Sequence, residues 1–464
     1  MIGDKHMALT KVSNNMVNGA YINALDYGAD PTGLLDSSPS IQAAIDAGIT
    51  TGQTVYIPAG DYLIGTMLGF VHSAQIKMEY GTTLNYSGVD SCIWVRDESG
   101  GSENGQGFLI QGGHITGGGG SGIRVGRLST ISPAVGSIRD VKISTMSIGF
   151  DFLSGQIIDV RDCNASYNET GFILNNTVGI YHTTVEFNNC RFNGNTFQGG
   201  YIIQGWQVTI KNCQFEINER EGLKVLKDSS QGIHQIAFED CWFEANNQGR
   251  VGTGYGQLEI TNSFGGALDY ISIKNTNFAI PGTSNYQILI NGNVSPIVLS
   301  NNRYVDGVGP TNHGSITGAG VGQAIFLSGQ ENYSDWVLDT NATSGFNIGS
   351  INTAHSSEID LNTGITTSLI EYFPKAATLL SCTVVYSGAT SSGLSSFYAE
   401  IGKRSDQDYY GTKQLASLAP LWGIGPVVLS QRDITATDVV TLYKPDTTGT
   451  SGKMCVQIEY WINT

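Results

Sequence analysis

The chain has little charge, and positive charge is especially scarce. Only 14% of its 464 residues are charged, and 40 acidic residues outnumber 24 basic ones, which leaves a formal net charge of −16. Phosphate binding depends on clustered Lys and Arg, and the sequence contains no basic run, so we expect no nucleic-acid partner. It also lacks any run of 18 apolar residues, so we expect no membrane-spanning helix and no membrane partner.

Cysteine is also scarce, and it is not spaced for metal binding. None of the seven cysteines forms a C-x-x-C pair. Four of them occupy the same position of a six-residue motif that recurs along the chain: Cys163, Cys190, Cys213 and Cys241. Metal sites prefer closely spaced pairs, whereas a buried Cys behaves as a small hydrophobe. We therefore predict an interior stack of reduced thiols, with no metal and no cofactor, which fits cytoplasmic synthesis.

A sequence motif of six residues, which we call the repeated phrase, recurs eight times. It reads apolar, any residue, Asp or Asn (once Gly), small, any residue, apolar. Its copies begin at Ile110, Ile138, Val160, Phe187, Ile210, Phe238, Ile273 and Leu299, at intervals of 28, 22, 27, 23, 28, 35 and 26 residues. Such a period predicts a solenoid, in which each repeat buries its apolar face against its neighbours. The 60 glycines favour short strands joined by tight turns. We predict an all-β parallel β-helix, right-handed if the usual chirality of parallel connections applies.

The repeat also predicts which side chains point inward. Side chains alternate along a strand, so the cysteine position and the apolar residue two later should face the interior. Asn recurs five residues after each of the four cysteines, at Asn168, Asn195, Asn218 and Asn246. Because Asn tolerates left-handed backbone and bonds nearby backbone groups, we predict a ladder of stacked turns at one corner. Two strands are evident in each coil of the solenoid, and the length of the repeat allows a third.

The beginning of the chain predicts a cap for the solenoid. Ser38 followed by Pro39 suggests a helix N-terminus, and Ile41, Ala44 and Ile45 then line one face of a short helix. Two strand patterns follow, separated by a Pro-Ala-Gly turn. A solenoid needs its open end covered, and this helix is placed to do so.

Changes in composition and in the pattern of apolar residues suggest four segments. Residues 1–20 are interpreted as an N-terminal arm or a cloning scar, and 21–65 as the cap and first coil. Residues 66–349 are predicted to form the parallel β-helix that carries the functional surface. From 350 to 464, longer alternating runs predict an antiparallel β-sandwich for trimerisation or carbohydrate binding.

The block near residues 27–60 resembles the opening of pectate-lyase-like parallel β-helix proteins. It reads Tyr27-Gly-Ala-Asp30, Gly33, Asp36, Ile41-Gln-Ala-Ala44 and Val55-Tyr-Ile-Pro-Ala-Gly60. Over roughly residues 20 to 340, the chain looks like a bacteriophage tailspike depolymerase that attacks bacterial capsules. The resemblance implies a homotrimer attached to the virion tail through its N-terminus, made in the host cytoplasm and acting at the bacterial surface. It also implies endoglycosidic or lyase cleavage of a capsular polysaccharide. The Asp cluster of calcium-dependent pectate lyases and the polygalacturonase motifs are absent, which disfavours those two activities.

The candidate site residues occupy outward positions of neighbouring repeats. Glu216 and Glu244 are predicted to form the catalytic pair, because glycoside hydrolysis uses two carboxyl groups about 5–5.5 Å apart for retention or about 6.5–9.5 Å apart for inversion. Trp offers a flat surface to a sugar ring and Arg offers paired donors. The predicted substrate-binding residues are Arg191, Trp242, Gln214, Asn193 and Lys224.

Two further carboxylate groupings stay open as alternatives. Glu219 and Glu221 lie at the corner before Lys224, and like charges in a partly enclosed site raise the pKa of one carboxyl group, as a general acid requires. A site between subunits would instead use Asp151, Asp159, Glu169 or Glu186 against a neighbouring chain.

The leading function is therefore hydrolysis of a capsular polysaccharide between internal sugars. A polysaccharide lyase on the same scaffold, working by β-elimination with a Tyr, His or Lys base, is the first alternative. A non-catalytic receptor-binding spike is the second.

Overall fold

The computed structural model describes residues 21–304 with short gaps, and beyond residue 304 the strands alone. The gaps are 72–73, 97–106, 127–134, 176–181, 228–232, 250–254, 265–267, 280–285, 293 and 295–296. The predicted arm, 1–20, lies outside the described residues. Within the described part, no helix is long and apolar enough to cross a membrane.

Three parallel sheets run along the molecule, and from Val55 to Thr317 the chain visits sheets A, B and C in turn. Sheet A contains Ile22–Asn23, Val55–Ile57, Gln75–Met78, Phe108–Gln111, Gly136–Arg139, Gln156–Arg161, Thr183–Asn188, Val208–Lys211, His234–Glu239, Asp269–Lys274, Ile297–Ser300, Ile325–Ser328 and Phe346–Ile348. Sheet C contains Leu68–Val71, Ser91–Arg96, Ser121–Val125, Ile148–Phe152, Thr170–Leu174, Gly200–Ile202, Leu223–Lys227, Gly256–Asn262, Tyr286–Asn291, Asn312–Thr317 and Trp336–Leu338. The all-β parallel solenoid is thus confirmed, with the third strand that the repeat length allows.

Sheet B has two parts that single-residue bridges connect. Its first part contains Thr32–Asp36, Gly60–Ile64, Thr82–Tyr86, His114–Gly117, Lys142–Ser144 and Asn164–Ala165. Its second part contains Gln214–Glu216, Trp242–Glu244, Asn277–Ala279 and Arg303–Tyr304. Arg191 forms parallel bridges to Asn164 on one side and to Gln214 on the other, so the ladder continues across the gap.

The third residue of the repeated phrase turns the chain from sheet A to sheet B. In all eight copies this residue has positive φ: Gly112 (79°), Asp140 (55°), Asp162 (56°), Asn189 (55°), Asn212 (53°), Asp240 (54°), Asn275 (50°) and Asn301 (53°). Gly adopts this conformation freely, and Asp and Asn tolerate it better than other residues. This corner explains why the phrase permits only Asp, Asn or Gly at its third position.

The interior is stacked as the repeat predicts. The four repeat cysteines are at most 2% exposed and carry free thiols. Burial raises the pKa of the Cys241 thiol to about 12, which keeps it protonated. Two residues further on, aromatic rings stack from coil to coil, with centroids 4.8 Å apart for Phe215 and Phe243 and 5.1 Å apart for Phe243 and Phe278.

The asparagine ladder is present, but its conformation differs from the prediction. The backbone N–H of Asn168 donates to Asn195 Oδ1 at 2.9 Å, that of Asn195 to Asn218 Oδ1 at 2.9 Å, and that of Asn218 to Asn246 Oδ1 at 3.2 Å. The left-handed residue at this corner is the one before each Asn: Tyr167 (61°), Gly194 (64°), Ile217 (56°) and Ala245 (52°). The asparagines are therefore selected for buried hydrogen bonding rather than for left-handed backbone.

The capping helix spans Ser38–Thr51, after a short 3-10 helix at Ala24–Tyr27. Ile41, Ala44 and Ile45 are fully buried, as predicted. The predicted N-cap at Ser38 is wrong, because Ser37 is the N-cap and makes no side-chain capping bond. Asp36 instead accepts hydrogen bonds from the backbone N–H and the hydroxyl of Ser38 at 2.9 and 2.6 Å.

Beyond the parallel strands, two antiparallel sheets follow. One contains Ile351–His355, Lys453–Ile462, Ala377–Ser387, Gly423–Pro426, Ile359–Asp360 and Asp433–Ile434. The other contains Thr366–Tyr372, Val439–Lys444, Tyr398–Lys403, Asp406–Gln414 and Val428–Leu429. The predicted change from parallel to antiparallel strands is therefore observed, and their assembly into a sandwich stays a prediction.

Candidate active site

Two rows of outward side chains cross the second part of sheet B, and we call them together the carboxylate face. The first row is Arg191, Gln214 and Trp242, and the second is Asn193, Glu216 and Glu244. Glu216 and Glu244 are direct register partners on adjacent parallel strands, where the strand spacing is about 4.8 Å. The structure therefore brings six of the predicted site residues onto one face.

Glu216 is held from the preceding coil by Asn193. The Asn193 side chain donates Nδ2–H to Glu216 Oε2 at 3.3 Å, and its Oδ1 accepts the backbone N–H of Glu216 at 3.0 Å. Burial raises the pKa of the Glu216 carboxyl group, and the negative charge of Glu244 raises it further, against an opposing effect of Arg191. This environment favours a protonated carboxyl group beside another carboxylate.

Glu244 is oriented by an aromatic side chain in its own strand. Trp242 Nε1–H donates to Glu244 Oε2 at 2.9 Å. This bond fixes the carboxylate and also the plane of the indole ring. The neighbouring strand adds only Ala279 in register with Glu244, so no third carboxylate continues this row.

A second pair of carboxylates in register provides a contrast on sheet A. Asp159 is the register partner of Glu186. However, Asp159 forms ion pairs with Arg139 and Arg161 at 3.2 Å each, and Arg161 Nη2 lies 3.9 Å from Glu186. Arginine charges compensate the Asp159–Glu186 pair, whereas the pKa of Glu216 is raised beside Glu244.

The predicted corner cluster does not lie on the carboxylate face. Glu219 is exposed at the corner, whereas Glu221 is fully buried and Lys224 points outward from sheet C. Lys224 Nζ lies 2.6 Å from Glu259 Oε1. Burial raises the pKa of Glu259, but the hydrogen bond and charge of Lys224 outweigh it and hold the pKa below its usual value.

Glu259 was not a candidate from the sequence, although its strand carried the information. Lys224 and Glu259 are the outward residues of the equivalent segments Leu223–Val225 and Leu258–Ile260, and they are register partners. Equal positions in consecutive repeats thus predict an ion pair here. The pair lies on sheet C, away from Glu216.

The remaining carboxylates of the inter-subunit alternative are dispersed. Asp151 is buried on sheet C, where Arg124 Nε donates to its Oδ2 at 2.8 Å. Glu169 is exposed at the corner that follows sheet B. Across the described residues, no three His, Cys, Asp or Glu side chains converge as a metal site would require.

Residues 21–242 match a family model described as rhamnogalacturonase A/epimerase, pectate lyase-like. This match includes the opening block near residues 27–60 and most of the described β-helix. It confirms the pectate-lyase-like resemblance over that segment. No curated protein matches the sequence.

Several solved structures resemble the chain at low identity. The tailspike protein gp49 of Acinetobacter baumannii bacteriophage Fri1, a capsular polysaccharide depolymerase, is 14% identical, with 95% of this chain and 86% of that chain covered and a TM-score of 0.44. The A-module of the Azotobacter vinelandii mannuronan C-5 epimerase AlgE4 is 16% identical, with 68% and 99% covered and a TM-score of 0.41. PfbA, a surface adhesin of Streptococcus pneumoniae, is 14% identical, with 72% and 94% covered and a TM-score of 0.41. Likenesses at this level assign no activity to the chain.

Proposed function

We propose that the protein is a phage tailspike depolymerase that hydrolyses a bacterial capsular polysaccharide between internal sugars. The observation that carries this proposal is the in-register pair of Glu216 and Glu244, in which the pKa of Glu216 is raised. Glycoside hydrolysis needs one protonated and one ionised carboxyl group flanking the scissile bond. The carboxylate face presents two carboxyl groups on adjacent strands, and the pKa of one of them, Glu216, is raised.

In this proposal Glu216 is the general acid. It transfers its proton to the glycosidic oxygen as the bond to the anomeric carbon breaks. Glu244 acts on the opposite side, either as nucleophile or as the base that takes a proton from the attacking water. Each product carries one new hydroxyl group. When Glu244 is the base, it ends protonated and Glu216 ends ionised, and proton exchange with solvent restores both. When Glu244 is the nucleophile, Glu216 takes a proton from the water that cleaves the glycosyl ester, which restores both carboxyl groups directly.

The surrounding residues position the substrate and the carboxyl groups. Asn193 orients Glu216, and Trp242 orients Glu244 while offering its ring face to a sugar. Arg191 and Gln214, in the same row as Trp242, present donors to hydroxyl or carboxylate groups of the polymer.

Separate Glu216→Gln and Glu244→Gln substitutions test the pair, and Glu186→Gln is the matched control. Each removes one carboxyl group from a register pair, but Glu186 belongs to the arginine-compensated pair on sheet A. With purified capsular polysaccharides and mass spectrometry of the products, both sheet B variants should lose at least about a hundredfold in oligosaccharide release. The control should retain wild-type release. Full activity in both sheet B variants would overturn the proposed pair.

The same digestions separate the two alternatives. New carbon–carbon double bonds, seen as a rise in ultraviolet absorbance, would identify a lyase instead of a hydrolase. Binding of polysaccharide without reducing ends or shorter oligosaccharides would identify a receptor-binding spike.

We also propose the larger organisation that the tailspike resemblance implies. The β-helix is right-handed, three chains associate, and the N-terminal region attaches to the virion tail. Residues 21–65 cap the column, 66–349 carry the functional surface, and 350–464 form a sandwich for trimerisation or carbohydrate binding.

A further inference from the structure

A row of exposed and partly exposed residues borders the carboxylate face at the corner that leads to sheet C. We call Tyr167, Gly194, Ile217 and Ala245 the corner row. Gly194, Ile217 and Ala245 directly follow Asn193, Glu216 and Glu244, and Tyr167 belongs to the preceding coil. Backbone hydrogen bonds fix this order, since Tyr167 N–H donates to Asn193 O and Ile217 N–H donates to Glu244 O, both at 3.0 Å.

The corner row exposes large apolar side chains on strained backbone. Tyr167 is 70% exposed with φ 61°, and Ile217 is 59% exposed with φ 56°. Bulky and β-branched residues seldom adopt positive φ, and Gly or Asn would turn this exposed corner at lower cost. Neither side chain contributes much to the core, so stability does not explain their presence.

Gly194 creates the space that the Tyr167 ring occupies. A Cβ atom at Gly194 would lie 2.8 Å from Tyr167 Cε1 and 2.9 Å from Cδ1. The ring therefore rests on the glycine of the next coil, with much of its surface open to solvent. An aromatic ring supported on one side and open on the other is a surface on which a sugar ring stacks.

We infer that Tyr167, supported by Gly194, is a sugar-stacking subsite of the polysaccharide that the carboxylate face binds. This inference rests on the proposed function and extends it. Tyr167 lies two coils before Glu216, so the ring and the catalytic pair are separated by about two strand spacings, roughly 10 Å, along the column. A polymer lying along the column would contact both, whereas a single sugar at Glu216 would not reach Tyr167.

Substitutions at both residues test the subsite, each with a matched control. Tyr167→Ala removes the ring, Tyr167→Phe keeps it, and Tyr80→Ala removes another exposed tyrosine, 99% exposed, remote from the face. Gly194→Ala pushes the ring out of place. Gly52→Ala imposes the same backbone strain, at φ 68° against 64°, where no atom lies within 4 Å of the new Cβ.

Affinity is measured by electrophoresis through gels cast with each purified polysaccharide of a capsule panel. We expect Tyr167→Ala and Gly194→Ala to bind about tenfold more weakly than the wild type. Tyr167→Phe, Tyr80→Ala and Gly52→Ala should keep wild-type affinity. Unchanged binding by Tyr167→Ala would overturn the subsite. A molar mass of the Tyr167→Ala variant that differs from the wild-type value in light scattering would also overturn the subsite. The corner row would then be an interface between copies of the chain.

The combined results separate this inference from the proposed function. Weak binding by Tyr167→Ala together with full activity of both Glu216→Gln and Glu244→Gln would retain the subsite and overturn the catalytic pair. Normal binding by Tyr167→Ala together with inactive Glu216→Gln and Glu244→Gln variants would retain the catalytic pair and overturn the subsite. If none of the polysaccharides retards the wild-type protein, the subsite and the proposed function are both overturned.

Discussion

Arg191 opposes the two influences that raise the pKa of Glu216. Burial and the charge of Glu244 favour the protonated carboxyl group, whereas the guanidinium of Arg191 favours the carboxylate. Arg191 is exposed and joins sheet B only through single-residue bridges. It is therefore a residue that can be changed without disturbing the interior.

The Arg191→Ala substitution should move the alkaline limb of the pH–rate profile to higher pH. Removal of the positive charge raises the pKa of Glu216 further, so Glu216, the proposed general acid, stays protonated at higher pH. The profile of oligosaccharide release against pH gives the measurement. Arg191→Lys keeps the charge and should leave the limb near its wild-type position. A limb that moves to lower pH would contradict the role of Glu216 as the acid.

Individual residues also show which features of the candidate site could be predicted from the sequence. The register of Glu216 and Glu244 followed from counting positions after the repeat cysteines. The raised pKa of Glu216 did not follow, because it depends on burial and on Arg191, whose strand position is irregular. Tyr167 was overlooked for a similar reason: exposure and φ at a corner are properties of the folded backbone.

At the scale of elements, the asparagine ladder holds neighbouring coils together at the corner between sheets B and C. Asn218 accepts hydrogen bonds from the backbone N–H and the Nδ2–H of Asn195, and it donates to Phe192 O and Asn246 Oδ1. It is fully buried. All of these bonds depend on the correct stacking of three consecutive coils.

The Asn218→Ala substitution should lower the free energy of unfolding by about 3 kcal/mol. It leaves several buried donors and acceptors without partners, and each such group costs about 1–3 kcal/mol before relaxation. Urea denaturation followed by circular dichroism measures the change. Asn188→Ala, at a partly exposed outward position of sheet A, is the control and should change stability by less than about 0.5 kcal/mol. Equal stability of the two variants would show that the ladder adds nothing to coil stacking.

The arrangement of the sheets also explains why the residues of the predicted corner cluster do not lie together. Glu219, Glu221 and Lys224 are close in sequence, but the corner between them turns the chain from sheet B to sheet C. Lys224 therefore pairs with Glu259 of the next coil instead of approaching Glu216. In a solenoid, neighbours across coils matter more than neighbours along the chain.

At the scale of the whole molecule, association has to overcome the charge of the chain. Each chain carries a formal net charge of −16, and like-charged surfaces repel at low ionic strength. The described part of a single chain also leaves Leu34, Leu35 and Val89 at 81%, 69% and 91% exposure. Burial of such side chains between copies would favour association.

We expect multi-angle light scattering to give the mass of three chains. Because salt screens the repulsion between acidic chains, the trimer should persist to lower protein concentration at physiological ionic strength than at very low ionic strength. A monomer mass under both conditions would contradict the homotrimer. An inter-subunit use of Asp159 or Glu186 would then lose its basis as well.

The repeat in the sequence was enough to predict the solenoid, its core and the rows of its outer surface. It could do so because the eight copies of the repeated phrase share the same inward positions, and because their A-to-B corner carries only Asp, Asn or Gly. Tertiary structure decided how far outward carboxyl groups are buried and compensated. It surrounded Asp159 with two arginines, and it buried Glu216 partly beside Glu244 so that its pKa is raised. Those outcomes depend on distances between coils and on burial, which the spacing of residues along one chain does not contain.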